Sequence, residues 1–464
     1  MPCRARDPRA LRARDAHRSP EESHVLRPKR GAPLPALALT IAVALSATPA
    51  HALGLAQVLA EVDAADPTLA AHRDMARAAR SRADRAGAWD APMLDLMLEN
   101  VPVSGGFDMD PMTMKVIGFE QHLNVFGARG LSRRAAQRDA GAADASAEAM
   151  RFDRLGMAWG TYAAAWSAGE RATAAREHRE VMDRMVAAGR ARYESGRGRL
   201  DDLLRAEAER ARVTSDAVRF DAEERAARAR LDALRGRTPG AAPEPLEPPA
   251  GLLAADGDAA WAGLTDSHPR VRAAGEREAA RRASVQAMNR MGWPELTVRA
   301  SYGFREDLAA GHGGVAQDNM WSAGVGITLP IGNDGRQGAE AAEMSAMADA
   351  AAAERRAESL GIAAEIEALR ARARADQRAV ALIADTVLVA QRRALAASWS
   401  AYETGSTDLA GVLDAAHASY AEELEAVRTR EDLATTLARL LVMSARPELV
   451  GMPLPPADPT RRNP

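Results

Sequence analysis

The sequence holds a single cysteine, Cys3, in 464 residues. That excludes a disulfide-stapled domain and any zinc-finger or iron–sulfur centre, since both need several cysteines as bridges or ligands. Neither sign of charge dominates, with 61 basic against 64 acidic residues. Residues 1–52 carry nine of the basic and four of the acidic ones, so the remainder is acidic by eight and has no basic nucleic-acid footprint. Beyond residue 52 no stretch approaches the roughly 20 continuous apolar residues of a membrane-spanning helix. Catalytic motifs are missing as well. His72, His122, His178, His268, His312 and His417 show no HExxH spacing, there is no P-loop, and Gly324-Val325-Gly326 precedes no phosphate-binding helix pattern. Neither enzymatic activity nor a cofactor is expected, and any energy must come from a partner. Aromatics are scarce at 4%, whereas Ala, Arg and Glu abound, a composition that favours long helices because Ala loses no side-chain entropy there.

Arg27, Lys29 and Arg30 precede an apolar stretch, Ala36 to Leu45, and Ala50-His51-Ala52 supplies a small-x-small cleavage pattern. Residues 1–52 therefore read as a leader and secretory signal peptide cut after Ala52. With Cys3 upstream of the cut, the exported chain has no cysteine to carry an N-terminal lipid.

Ordered landmarks recur along the rest of the chain. Asp66-Pro67 and Pro92 match His268-Pro269 and Pro294 at an offset of 202. Phe126-Gly127 with Gly130 matches Ile331-Gly332 with Gly335 at 205, and Tyr193-Glu194-Ser195-Gly196 followed by Leu200 matches Tyr402-Glu403-Thr404-Gly405 followed by Leu409 at 209. A tandem duplication results. Residues 53–237 form the first repeat, 258–446 the second, 238–257 a Pro-rich linker and 447–464 a Pro-rich tail. Each repeat is expected to run helix, two strands, long helix, tight turn, long helix.

The strands alternate. Leu296, Val298, Ala300, Tyr302 and Phe304 make one face of a segment whose other face holds Glu295, Thr297, Arg299, Ser301 and Arg305. Trp321, Ala323, Val325, Ile327 and Leu329 alternate with Ser322, Gly324, Gly326 and Thr328. In the first copy Leu94, Leu96 and Leu98 oppose Asp95 and Glu99, and 113–126 supplies a weaker partner. Ten-residue segments with this period in an exported protein match an outer-membrane barrel with a water-lined interior, to which Asp95, Glu99, Arg299 and Thr328 would contribute. Trp89, Trp293 and Trp321 fall near strand ends, where an interfacial aromatic belt is expected. Four strands cannot close a lipid-exposed barrel, so the chain must share its barrel with copies of itself. The helical stretch 131–190 would be about 90 Å long, and 337–399 is its counterpart.

This arrangement resembles the TolC family of outer membrane efflux proteins, on Pro67 with Pro92, Gly127 with Gly130, Gly196 with Leu200 and their second-copy equivalents. The resemblance implies a mainly α fold in which tandem helical hairpins carry four barrel strands per chain. It also implies a homotrimer in outer-membrane lipid, a helical tunnel in the periplasm, a periplasmic adaptor and a proton-driven inner-membrane pump. Leu98-Glu99-Asn100, Gly105-Gly106, and Glu120-Gln121 ahead of Val125-Phe126-Gly127 look closest to the heavy-metal branch. Channels for drug efflux or type I secretion, and a soluble periplasmic helical scaffold, are the alternatives.

In that family the hairpin tips meet an adaptor, which here implies docking at Gly196, Leu200, Gly405 and Leu409. Asp201, Asp202 and Asp408 sit at or after the turns. Symmetry would multiply each into a carboxylate ring, held through Arg197 or Arg199. For Asp408, just before Leu409, a helix cap is the favoured role over a gate. Met109, Met112 and Met114 offer thioethers that suit soft cations, or serve as plain apolar filler.

Overall fold

A computed structural model describes residues 52–103, 105–240, 244–249, 251, 253, 258–261, 263–329 and 334–452. The leader with its cleavage pattern, the Ile331-Gly332 landmark and the tail from residue 453 lie outside these residues.

Two helices open the chain, α1 (Leu55–Ala65) and α2 (Pro67–Ala86), followed by β1 (Met93–Glu99) and β2 (Met114–Leu123). Next come α3 (Ala128–Glu194) and α4 (Leu200–Leu234). Single turns α5 (Asp258–Trp261) and α6 (Leu264–Ser267) lead into α7 (Pro269–Met291), β3 (Glu295–Phe304) and β4 (Met320–Thr328). The chain then runs through α8 (Asp334–Leu382), α9 (Leu388–Glu403) and α10 (Leu409–Ser444). Both repeat-opening helices start on a buried cap followed by proline, whose missing N–H costs nothing at that position. Asp66 accepts from the Thr68 amide at 2.7 Å, and His268 Nδ1 accepts from the Arg270 amide at 3.2 Å while its Nε2 lies 3.1 Å from the Val442 carbonyl.

The expected second long helix is interrupted. Between α8 and α9, Ile383–Val387 form a π-helical turn, whereas α3 runs unbroken for 67 residues, about 100 Å. The weak partner strand is also shorter than 113–126, since Val125 and Phe126 already belong to the turn into α3.

All four strands form one antiparallel sheet in the order β1-β2-β3-β4. The helices joined to them, α2, α3, α7 and α8, lie side by side in the same order, α3 packing on α2 and α7, and α7 on α8. Farther from the sheet, α4 and α10 flank α3, and α10 also packs on α8 and α9. Two cores hold this layer together. One, near mid-height, gathers Trp159 and Tyr162 of α3, Val58 and Leu59 of α1, Ile362 and Leu369 of α8, and Leu437 and Leu441 of α10. Leu449 and Val450, in a 3₁₀ turn after α10, are buried there too. The linker crosses the same core, where Leu53 bridges Leu246 and the Tyr162 hydroxyl lies 2.7 Å from the carbonyls of Leu53 and Glu247. The second core joins α3, α4 and α10 through Met182, Met185, Val213, Phe220, Val412 and Tyr420. No described helix is long and apolar enough to cross a membrane.

Candidate functional site

The two hairpin turns lie at the end of the helical layer away from the sheet, and their backbones are built alike. In the first, the amides of Ser195, Gly196 and Arg197 donate to the carbonyls of Ala191, Tyr193 and Arg192. In the second, Thr404, Gly405 and Ser406 donate to Ser400, Tyr402 and Ala401, the same pattern 209 residues on. Both glycines are left-handed, Gly196 at φ +72° and Gly405 at φ +78°, as a helix C-terminus closed by this pattern requires.

The turns converge on one groove of about 570 Å³, lined by Gly189, Arg192, Arg199 and Asp202 from the first hairpin and by Tyr402, Gly405 and Asp408 from the second. Arg192 fastens the two together: its guanidinium stacks 3.9 Å from the centre of the Tyr402 ring and donates to the Tyr402 carbonyl. Gly189 lets Leu409 approach closely, since a Cβ there would lie 2.8 Å from Leu409 Cδ2. Leu409 is therefore only 3% exposed and shapes the tip from within, unlike Leu200 at 48%. Of the two leucines expected at the tip, Leu200 thus faces outward and Leu409 is held in the packing over Gly189.

The acidic residues divide by role. Asp408 caps α10, accepting from the Gly411 amide at 3.0 Å. Asp201 receives a bidentate fork from Arg199 at 2.8 and 3.0 Å, which holds its carboxyl below the usual carboxylate range and raises the Arg199 guanidinium. Asp202 lines the groove and Arg197 stands beside it. Arg192 escaped the sequence reading because its partner is 210 residues away; the Tyr402 landmark was its nearest signal.

The sheet has two distinct faces. Strand register puts Asp95, Glu99, Arg299 and Thr328 on the same face, with Glu120, His122, Thr297, Ser301 and Ser322. There Arg299 forks onto Glu120 of the neighbouring strand at 2.7 and 3.1 Å, and Thr297 Oγ1 lies 3.1 Å from His122 Nδ1. The opposite face exposes Leu94, Leu96, Leu98, Ile117, Phe119, Val325 and Ile327. Edge strands β1 and β4 each have a strand neighbour on one side only.

Beyond the strand ends, loops 100–113 and 305–319 hold each other through Ala309 donating to Asp108, Arg305 to Pro111, and the Lys115–Glu306 ion pair. Met109 lies over Gly106, Met114 over Gly303 on the polar face, and Met112 is 56% exposed. Among the described residues no cluster of three or more His, Cys, Asp or Glu could hold a metal.

Comparison with known proteins agrees with this architecture. The profile of the outer membrane efflux protein family matches residues 58–237 and again 264–445. The outer-membrane channel OprN is similar over 84% of this chain and 89% of its own, with TM-score 0.72 and 21% identity. VceC from Vibrio cholerae gives 84% and 95%, 0.71 and 18%, and CusC 84% and 91%, 0.71 and 15%. A sequence search of curated proteins returns no match. At these identities the solved structures establish a shared fold, and the double family match establishes the rest: the chain belongs to the outer membrane efflux protein family, as a channel protein of the outer membrane.

Proposed function

We propose that three copies of this chain close their sheets into one 12-stranded barrel and carry substrates outward through the helical tunnel below it. An inner-membrane pump and a periplasmic adaptor deliver the cargo. The observation that carries this reading is the open four-stranded sheet, apolar on one face, polar on the other and unpaired along β1 and β4. In lipid an unpaired edge costs several kcal/mol per stranded polar group, on the order of the hydrogen bond lost, so each β1 must meet a β4 of another copy.

The adaptor docks on the tip around Gly196, Leu200 and Gly405, and the Arg199–Asp201 fork with Asp202 forms the polar ring at the tunnel's end. The polar sheet face supports cations, heavy metals included, as cargo: Asp95, Glu99, Glu120 and Glu295 outnumber Arg299 and Arg305 there.

Assembly is tested by placing single cysteines on the lipid-facing positions of both edge strands, Leu96→Cys with Val325→Cys and neighbouring pairs, in a chain whose only native cysteine is Cys3. Oxidation in membranes should give a covalent trimer for at least one pair; only monomers and dimers across the series would refute the shared barrel. Cargo is tested by growth of a deletion strain on metal salts and on organic toxins, with complementation. Selective loss of metal tolerance supports cations, and sensitivity to organic toxins alone rejects them. Gly405→Val should abolish export while the trimer persists, because β-branched residues cannot hold φ +78° without strain.

A further inference from the structure

Where the helices enter the sheet, the rim is aromatic and cationic together. Trp89, Phe126 and Trp293 lie between the strands and helices α2, α3 and α7, each more than 40% exposed, and Phe126 packs on Trp293 with ring centres 5.7 Å apart. Each tryptophan carries an arginine on its face. The Arg129 guanidinium stands 3.5 Å from the centre of the Trp89 ring, and that of Arg290 stands 4.5 Å from the Trp293 ring.

These cations have no acidic partner. Among the described residues Arg129, Arg133, Arg134 and Arg290 form no ion pair, whereas Arg138 and Arg282, farther along the same helices, pair with Glu276 and Glu278. Arg129 Nη1 is shut off from water with no hydrogen-bond partner at all. Nε and Nη2 of Arg129 are not shut off in this way and have no acidic partner, so they are the edge that an external acceptor can reach. Guanidinium planes stacked on indole suit a phosphate, which accepts two parallel N–H bonds while the ring retains the cation.

The sheet fixes what can reach this rim. Its apolar face is exposed up to the level of these residues, so acyl chains lying against Leu94, Phe119 and Val298 bring their headgroups to Arg129 and Arg290. We propose that the rim binds the phosphate of an anionic phospholipid in the leaflet next to the helices, with Arg129 and Arg290 as its ligands and Trp89 and Trp293 packing on the glycerol and upper acyl chain. This goes beyond channel function and rests only on the strands lying in a bilayer.

The test uses the purified oligomer in phosphatidylcholine vesicles that contain a rising fraction of brominated phosphatidylglycerol or, in parallel, brominated phosphatidylcholine. Every protein tested carries Trp321→Phe, which removes the tryptophan at the far end of the sheet, so tryptophan quenching then reports which lipid sits at the rim. Phosphatidylglycerol should be favoured by about fivefold or more, the scale expected for one interfacial arginine at each phosphate. The preference should vanish in the Arg129→Gln/Arg290→Gln double variant and survive in Arg138→Gln. Equal quenching by the two lipids in the native oligomer overturns the proposal whether or not the variants assemble, as does a preference that persists in the double variant.

Discussion

The two long helical arms come from one duplicated plan, yet α3 and its counterpart α8–α9 live in different surroundings. Helix α3 lies inside the layer, with α2, α4, α7 and α10 against it, and buries Trp159, Tyr162, Met182 and Met185 completely. The α8–α9 arm lies at the edge, is broken by the π turn, and leaves Leu360 and Leu382 at 66% and 60% exposure. Duplication copied the backbone, but layer order decided which arm would be core and which would wait for a neighbour. Stability within one chain therefore concentrates on α3, and in the proposed trimer the contacts between copies fall to the other arm.

The largest test of this contrast is Trp159→Ala against Leu382→Ala. The first should cost about 3–5 kcal/mol of stability, as loss of a buried aromatic does. The second should leave the melting temperature of a dissociated chain nearly unchanged and lower the fraction of oligomer in detergent. Equal loss of stability in both would break the comparison.

Next comes a pair of helix glycines. Gly189→Leu must push Leu409 away and should cost about 1–3 kcal/mol. Gly361→Ala meets open space and should stabilise by about 0.5–1 kcal/mol. Thermal unfolding checks both. The tips sharpen it further: Asp408→Ala should cost about 1 kcal/mol through the lost cap, while Asp201→Asn, which breaks a solvent-exposed fork, should change stability less.

The last effect is in pH and vanishes at neutrality. His178 of α3 is 5% exposed, stacks on Tyr420 at 4.5 Å, and faces Glu209 of α4 and His417 of α10. Burial, chiefly, lowers its pKa to about 4, with Glu209 opposing the shift and His417 adding to it. The unfolded chain then binds this proton more readily than the folded one. Stability is complete above about pH 6.5 and declines as pH falls toward 4. His178→Phe should flatten that slope; a slope unchanged in the variant assigns it to other groups.

Much of this was legible in the sequence because it rests on periodicity. Alternation marked β3 and β4 within a residue or two, and the Tyr-Glu-x-Gly landmarks marked both turns. β2 was weaker because Lys115 and Gln121 interrupt its apolar face, each for a local reason: Lys115 pairs with Glu306, and Gln121 donates to the Asp90 carbonyl. The π turn left no trace, since Ile383-Ala-Asp-Thr-Val387 continues the helical pattern. The Arg192–Tyr402 clasp, the Leu409 packing and the Glu120–Arg299 fork all depend on register between distant segments, which composition and spacing do not encode.

The order of the sheet also sets a timetable for folding. β2 and β3 are hydrogen-bonded neighbours, yet their partners stand 173 to 189 residues apart. The first copy alone contributes only a two-stranded hairpin, which is marginal by itself. Helical hairpins can form as each copy emerges, but the sheet cannot grow past two strands until β3 of the second copy has been made. Until then Leu94, Leu96 and Leu98 stay on an unfinished apolar ribbon, exposed for longer than the helical content of the chain would suggest.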